Sequence, residues 1–131
     1  MAGESNLNTL LASMSPTLMP GEYVFCSFVG AKYGSGQELE PVAACMEKEG
    51  LTLVIPRVNA DQNGLSYESV FRGITLRVHS SLEAVGLTAA FATKLSQHGI
   101  SANVIAGYFH DHIFVRSDHA DKAMAALNEL A

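Results

Sequence analysis

The pattern that most restricts the fold lies in the second half of the chain, where a strand, a helix and two strands follow one another. The stretch FRGITLRVH alternates apolar and polar side chains, which is typical of a strand buried on one face. Residues 86–98 carry apolar side chains at helical spacing, and Gly99 follows where a left-handed helix cap belongs. SANVIAGYF and HIFVR predict two strands, joined by a tight turn at His110 and Asp111. A closing helix follows, which Asp118 can cap.

The first half predicts a similar but less regular series of elements. A short amphipathic helix ends at Pro16, and EYVFCSFV and LTLVI predict strands. Between them, a stripe from Leu39 to Met46 predicts a helix that Gly50 terminates. The polar segment NADQNGLS reads as turn material and as the boundary between halves, so we predict units at 1–66 and 67–131.

Strands with helices returning to one face predict an α+β fold of ferredoxin-like type, with antiparallel sheets covered by helices on one face. The second half lacks the last strand of a complete βαββαβ unit. That strand must come from the first half or from a neighbouring subunit, so neither half is expected to be independent.

Charge and composition exclude several classes of protein. The 131 residues include only 16% charged residues and carry a net charge of −5, which argues against a nucleic-acid binder or a partner of anionic membranes. The start of the chain has no signal-peptide pattern, and no run approaches a membrane span. Cys26 and Cys45 lie in apolar contexts without metal-site spacing, so we expect two buried, reduced thiols, a cytoplasmic protein and no cofactor.

The candidate binding segment is HSSLEAVGLT, which links a predicted strand to a predicted helix. A helix start offers unpaired N–H groups, a natural seat for a carboxylate, and Gly86 would let a ligand approach the backbone. Ser80, Ser81 and Thr88 add hydroxyl groups. Ordinary helix capping by Ser81 or Glu83 is the alternative interpretation.

A second candidate is the cluster His110, Asp111 and His112, which would suit a small metal-assisted hydrolase. Neighbouring side chains on a strand point to opposite faces, and zinc requires three or four ligands, so we expect no metal here. A turn-forming Asp111 between two solvated histidines, or an Asp111 that pairs with a ligand amine, are the other interpretations.

The stretches GEYVFC, EGLTLVIP, FRGITLRVHSSLEAVGLTAAFATKL and GISANVIAGYFHDHIFV together resemble a bacterial family of small ACT-domain proteins. The resemblance covers roughly residues 7–130 and implies two tandem ACT-like units, the first divergent, similar in fold to CASTOR-type amino-acid sensors. It implies a non-catalytic regulatory or sensor protein that binds a free amino acid. It also implies a homodimer or higher oligomer that associates through sheet edges.

The resemblance also implies which residues contact the ligand. The amine contact stays open between Glu83 and Asp111, because SSLEAVGL departs from the usual Asp-x-Pro-Gly-like element. A ligand-free interaction module with the same fold is the alternative function. The implied contacts are Ser80, Ser81, Glu83, Val85, Gly86, Leu87, Thr88, Asn103, Val104 and Asp111.

Overall fold

The computed structural model describes Leu11, residues 14–77 and residues 86–130. The described residues form two compact units. One is Pro20–Phe71, and the other combines the residues up to Met19 with those from Arg72 onward. Both units combine helices with antiparallel strands, which is consistent with the expected α+β fold. The division of the family-like units near residue 66 stays a prediction.

The unit Pro20–Phe71 is built on three antiparallel strands in the order β3–β4–β2. These are β2 (Tyr23–Phe28), β3 (Ala43–Glu47) and β4 (Gly50–Pro56), and β4 pairs with both neighbours. A 3-10 turn (Gln37–Leu39) precedes β3, and helix α1 (Arg57–Gln62) follows β4 directly.

One face of these strands carries the core of the unit. The buried side chains are contributed by β2, β4, the 3-10 turn and α1, and they are Val24, Cys26, Leu39, Leu51, Leu53, Ile55 and Ala60. Because alternate residues of a strand point to opposite faces, Leu51, Leu53 and Ile55 all reach this core from β4. Burial raises the pKa of the Cys26 thiol, which favours its neutral form. The expectation that both thiols are buried is wrong for Cys45, which is exposed on β3.

The second unit contains strands β1 (Pro16–Leu18), β5 (Phe71–Leu76), β6 (Asn103–Ala106) and β7 (Asp111–Arg116). Phe71, the first residue of β5, is counted with the other unit. Strand β5 neighbours β7, which pairs with β6, and β1 pairs antiparallel with β5. The first half of the sequence therefore supplies a strand to the second, as one of the two alternatives above predicted.

Helices α2 (Leu87–Gln97) and α3 (Ala120–Asn128) complete this unit, and a 3-10 turn (Ser117–His119) leads into α3. They share one hydrophobic core with the strands. Its fully buried members include Ile74, Leu76, Phe91, Leu95, Ile113, Val115, Ala123 and Leu127. A salt bridge of 2.7 Å between Lys94 and Glu129 ties the two helical segments together at the surface.

The helix predicted across residues 39–46 is wrong, because that segment forms the 3-10 turn and β3. Ala44 and Met46 pair with Leu53 and Leu51 of β4, whose side chains enter the core. The cross-strand pairing with β4 overrides an apolar spacing that also fits a helix. Gly50 begins β4 and does not cap a helix.

Three smaller predictions also need correction. The segment NADQNGLS is not all turn, because its first residues belong to α1. The β6–β7 turn comprises residues 107–110, closed by a hydrogen bond of 2.9 Å from the Gly107 N–H to the His110 carbonyl, so Asp111 already belongs to β7. Asp118 lies within a 3-10 turn and pairs with Arg116, so it does not cap α3.

Candidate functional site

The start of α2 is the part of the candidate segment that the structure describes. Gly86 occupies the N-cap position with φ 91°, a left-handed conformation that glycine adopts without strain. Its carbonyl accepts the first helical hydrogen bond from the Ala90 N–H at 2.9 Å. The Leu87 side chain is buried in the core, whereas Thr88 is exposed. Ser80, Ser81, Glu83 and Val85 lie outside the described residues.

The first N–H groups of α2 are suited to an anion. The N–H groups in the first turn of an α-helix have no intrahelical acceptor, and the helix dipole adds partial positive charge there. Glycine at the N-cap has no side chain that could accept from them. The first turn of α2 is therefore a candidate position for a carboxylate, and its role as a binding site stays a prediction.

Asp111 is the first residue of β7, directly opposite Ala106 of β6. Alternation along both strands places its side chain on the same sheet face as Val104 and Ile113, which contact the core under the helices. Burial raises the pKa of the half-buried Asp111 carboxyl, and His112 and His110 oppose this shift. Asp111 and the buried Leu87 of α2 thus belong to the same face of the sheet.

Asn103 lies on the opposite face from Asp111. It stands opposite Phe114, and its amide nitrogen donates to the Phe114 carbonyl at 3.0 Å. Because positions 103 and 106 differ by an odd number, Asn103 and the Ala106–Asp111 pair point to opposite sides. The structure therefore groups Val104 and Asp111 with the α2 face and separates Asn103 from them.

His112 forms a contact that the sequence did not reveal. Its ring Nδ1 lies 3.0 Å from the Thr75 hydroxyl oxygen, on the face opposite to Asp111. Desolvation lowers the pKa of His112, His110 lowers it further, and Asp111 opposes them. Only the tertiary pairing of β5 with β7 brings these two residues together.

The unit Pro20–Phe71 holds a separate cleft of about 780 Å³, lined by the start of β2, the end of β4 and α1. On its wall the Arg57 guanidinium lies 3.0 Å from Glu22 and 3.6 Å from Asp61, and it also donates to the Tyr67 hydroxyl at 3.1 Å. Sequence reasoning missed this network, although Arg57 and Asp61 have the i, i+4 spacing of a helical ion pair. Arg57 is therefore already paired with acidic and phenolic side chains of its own unit.

Leu11 and residues 14–77 and 86–130 contain neither a candidate metal centre nor a helix that could span a membrane. In those ranges no group of three or more His, Cys, Asp and Glu side chains is arranged to hold a metal ion. Among the same residues, no helix has both the length and the apolar character needed to cross a bilayer.

Comparisons with known proteins identify the family. An ACT-domain model matches residues 2–72, and a second ACT-domain model matches residues 68–129. No curated protein sequence matches the chain. A solved structure from Vibrio cholerae, described as a protein of unknown function and possible transport protein, is 59% identical with a TM-score of 0.86, covering 95% of each chain.

More distant solved structures share the fold. The ligand-free regulatory subunit of aspartate kinase from Thermus thermophilus is 6% identical with a TM-score of 0.66, covering 91% of this chain and 98% of its own. A protein from Agrobacterium tumefaciens is 17% identical with a TM-score of 0.67, covering 88% and 87%. With two consecutive family matches that together span residues 2–129, the chain belongs to the ACT-domain family and carries two tandem ACT domains.

Proposed function

We propose that this protein is a non-catalytic regulatory module that binds a free amino acid and acts in the cytoplasm as a homodimer or higher oligomer. Membership of the ACT family and the fold shared with aspartate kinase regulatory subunits support a regulatory, small-molecule-binding role. The observation that carries the amino-acid proposal is the position of Asp111 on the sheet face that the Gly86-capped helix α2 covers.

The chemistry of the two groups supports a zwitterionic ligand. An amino acid needs donors for its carboxylate and an acceptor for its ammonium group. The backbone from Gly86 to Thr88 would supply the donors, and Asp111 would supply the acceptor. The Thr75–His112 hydrogen bond places the start of β7 beside the end of β5, from which the chain continues towards α2. This topology favours a position of the α2 backbone donors and the Asp111 carboxylate at the same end of the sheet.

The remaining implied contacts, apart from Asn103, stay part of the proposal. Val104 shares the face of Asp111 and would line the ligand side chain. Ser80, Ser81, Glu83 and Val85 precede Gly86 in sequence and would complete the loop around the carboxylate or, for Glu83, contact the amine.

The first test is a thermal-shift screen of the wild-type protein against the twenty amino acids, followed by calorimetry of each hit. A ligand at 100 times its Kd stabilises a protein by roughly 2.7 kcal/mol, which raises the melting temperature of a domain of this size by several degrees. Asp111→Asn should weaken binding at least about tenfold, the loss typical of a charge-assisted contact. Asp121→Asn, an exposed carboxylate on α3, is the matched control and should bind normally.

Gly86→Val provides the second variant. A β-branched residue is strained at φ 91° and would obstruct the approach to the α2 backbone, so ligand-induced stabilisation should vanish while the oligomeric state is unchanged. No stabilisation by any of the twenty amino acids, in a protein that self-associates, would favour the ligand-free interaction module instead.

A further inference from the structure

The phenol of Tyr33 caps the outer edge of β3. Its oxygen accepts a hydrogen bond of 3.0 Å from the backbone N–H of Met46, the fourth of the five residues of the strand. Strand β3 stands at the end of the order β3–β4–β2 in its unit, and its residues from Ala44 to Glu47 are all exposed. An exposed edge strand presents unpaired N–H and C=O groups that another strand can pair with.

The hairpin geometry shows which groups of β3 point outward. Glu47 pairs with Gly50 across a two-residue turn, so backbone groups of alternate residues point to β4 or away from it. Because Met46 gives its N–H to Tyr33, the outward groups belong to Met46 and Ala44. These two residues flank Cys45 symmetrically.

This spacing makes the edge complementary to itself. Two copies of β3 could pair antiparallel with Cys45 at the centre. The outward N–H and C=O groups of Ala44 in each copy would then pair with those of Met46 in the other copy. Glu47 would then face Ala43 of the second copy, so no like charges would stand opposite each other. The two Cys45 residues would form the central pair, where Cα atoms lie about 4.5 Å apart.

The chain holds Tyr33 in place with a tight turn. The Ser35 N–H donates to the Lys32 carbonyl at 2.9 Å, and the Lys32 N–H donates to the Ser35 hydroxyl at 3.1 Å. Gly34 adopts φ 97° within this turn, which a bulkier residue would resist. Tyr33 itself is 66% exposed, so its hydroxyl contact with β3 is not a by-product of core packing.

We infer that Tyr33 closes the β3 edge against strand addition by a second copy of this chain. The phenol occupies the Met46 N–H that the second copy would need. Self-association of the protein then uses another surface, of which the outer strand β6 of the other unit is a candidate. The inference does not depend on an amino-acid ligand, so it can fail without affecting the proposed function.

The first test is amide hydrogen exchange measured by NMR on the wild type and on Tyr33→Phe. Loss of the phenol acceptor should speed exchange at Met46 roughly fivefold, the factor expected for one ordinary hydrogen bond, while Ala44 stays unchanged. Equal exchange at Met46 in the two proteins would overturn the inference.

The second test measures association by sedimentation and locates it with a short bismaleimide, which joins two thiols by adding one to each ring. Tyr33→Ala should associate further than the wild type in a concentration-dependent step and should crosslink through Cys45, and Tyr33→Ala with Cys45→Ser should lose the crosslink. The only other cysteine, Cys26, is buried. The matched control is Tyr108→Ala, which removes a tyrosine that is 73% exposed in the other unit and should not crosslink.

Two results of this second experiment would contradict the inference. Equal crosslinking of Cys45 in the wild type would show that Tyr33 does not close the edge. Unchanged association of Tyr33→Ala, with a native circular dichroism spectrum, would show that the edge does not pair when it is opened. If Tyr33→Ala is unfolded, the exchange of Met46 in Tyr33→Phe decides the question.

Discussion

The ring Nδ1 of His112 and the hydroxyl of Thr75 lie 3.0 Å apart, so a side-chain hydrogen bond joins β7 to β5. Asp111, the preceding residue, points to the opposite face, which the helices cover. Two adjacent titratable residues therefore occupy different environments. Burial raises the pKa of Asp111 and lowers the pKa of His112, which favours the neutral form of both groups.

His112 should make the protein less stable in mild acid. Because its pKa is lowered in the folded state, the unfolded chain binds more protons between that pKa and the ordinary value of 6.5. Its contribution to stability is complete above 6.5 and is lost as the pH falls through this window. His112→Asn should flatten the dependence measured by urea unfolding between about pH 5 and 8. An equally steep slope in His112→Asn would contradict this assignment.

Asp111 should make the stability of the protein depend on pH in the opposite direction. Its raised pKa means that the folded state binds more protons between the ordinary value of 3.8 and the raised one, so stability falls as the pH rises through that window. Without a ligand, Asp111→Asn should therefore melt at a higher temperature than the wild type at pH 7. The difference should disappear below pH 3.8, where the wild-type carboxyl is protonated in both states.

Asp111→Asn also separates stability from binding, because we expect it to be more stable than the wild type and to bind the amino acid more weakly. Calorimetric scanning with and without the amino acid identified in the screen measures both effects. A lower melting temperature for ligand-free Asp111→Asn at pH 7 would show that the buried carboxylate is stabilised by contacts other than a ligand.

Gly50→Ala should destabilise the unit Pro20–Phe71. Gly50 has φ 155°, and a Cβ atom there would lie 2.8 Å from the Phe28 carbonyl oxygen and 3.2 Å from the Ser27 hydroxyl. We expect a loss of about 1–3 kcal/mol in the free energy of unfolding, measured by urea denaturation. Gly64→Ala is the control. Gly64 also has a positive φ, of 65°, but apart from its chain neighbours no atom lies within 4 Å of an added Cβ. This substitution should therefore cost only about 1 kcal/mol.

Asn103→Ala should lower stability without changing amino-acid affinity. The substitution removes the hydrogen bond of 3.0 Å to the Phe114 carbonyl, worth about 1 kcal/mol. Its side chain lies on the sheet face opposite to Asp111, away from the start of α2. Titration calorimetry that shows weakened binding in this variant would return Asn103 to the ligand site.

The sequence predicted the second half well because its signals are local. The alternation from Phe71 produces β5, and the helical stripe produces α2, which Gly99 follows with φ 72°. Each signal depends on side chains within one or two turns of the chain, so no distant partner is needed to interpret it. The ACT-family resemblance, confirmed by both family matches, is carried by this stretch together with the strands of the first half.

The segment Leu39–Met46 shows where local signals fail. Its apolar spacing fits a helix, yet Ala44 and Met46 pair with Leu53 and Leu51. The segment can form either a helix or a strand, and the strand requires β4 beside it. The hairpin across residues 48 and 49 brings β4 into that position, so the strand forms. The hydrogen bond from the Met46 backbone N–H to the Tyr33 hydroxyl depends on the same pairing.

The sequence by itself determined the family, the strand–helix–strand–strand order of the second half, the glycine at the α2 start and the need for one more strand. Only the tertiary structure decided that β1 supplies this strand by pairing with β5, and that Asp111 and Asn103 point to opposite faces. The physical reason is that periodicity along a chain specifies which residues share a face of one element. Register and pairing between distant segments depend on how all the apolar faces are buried together.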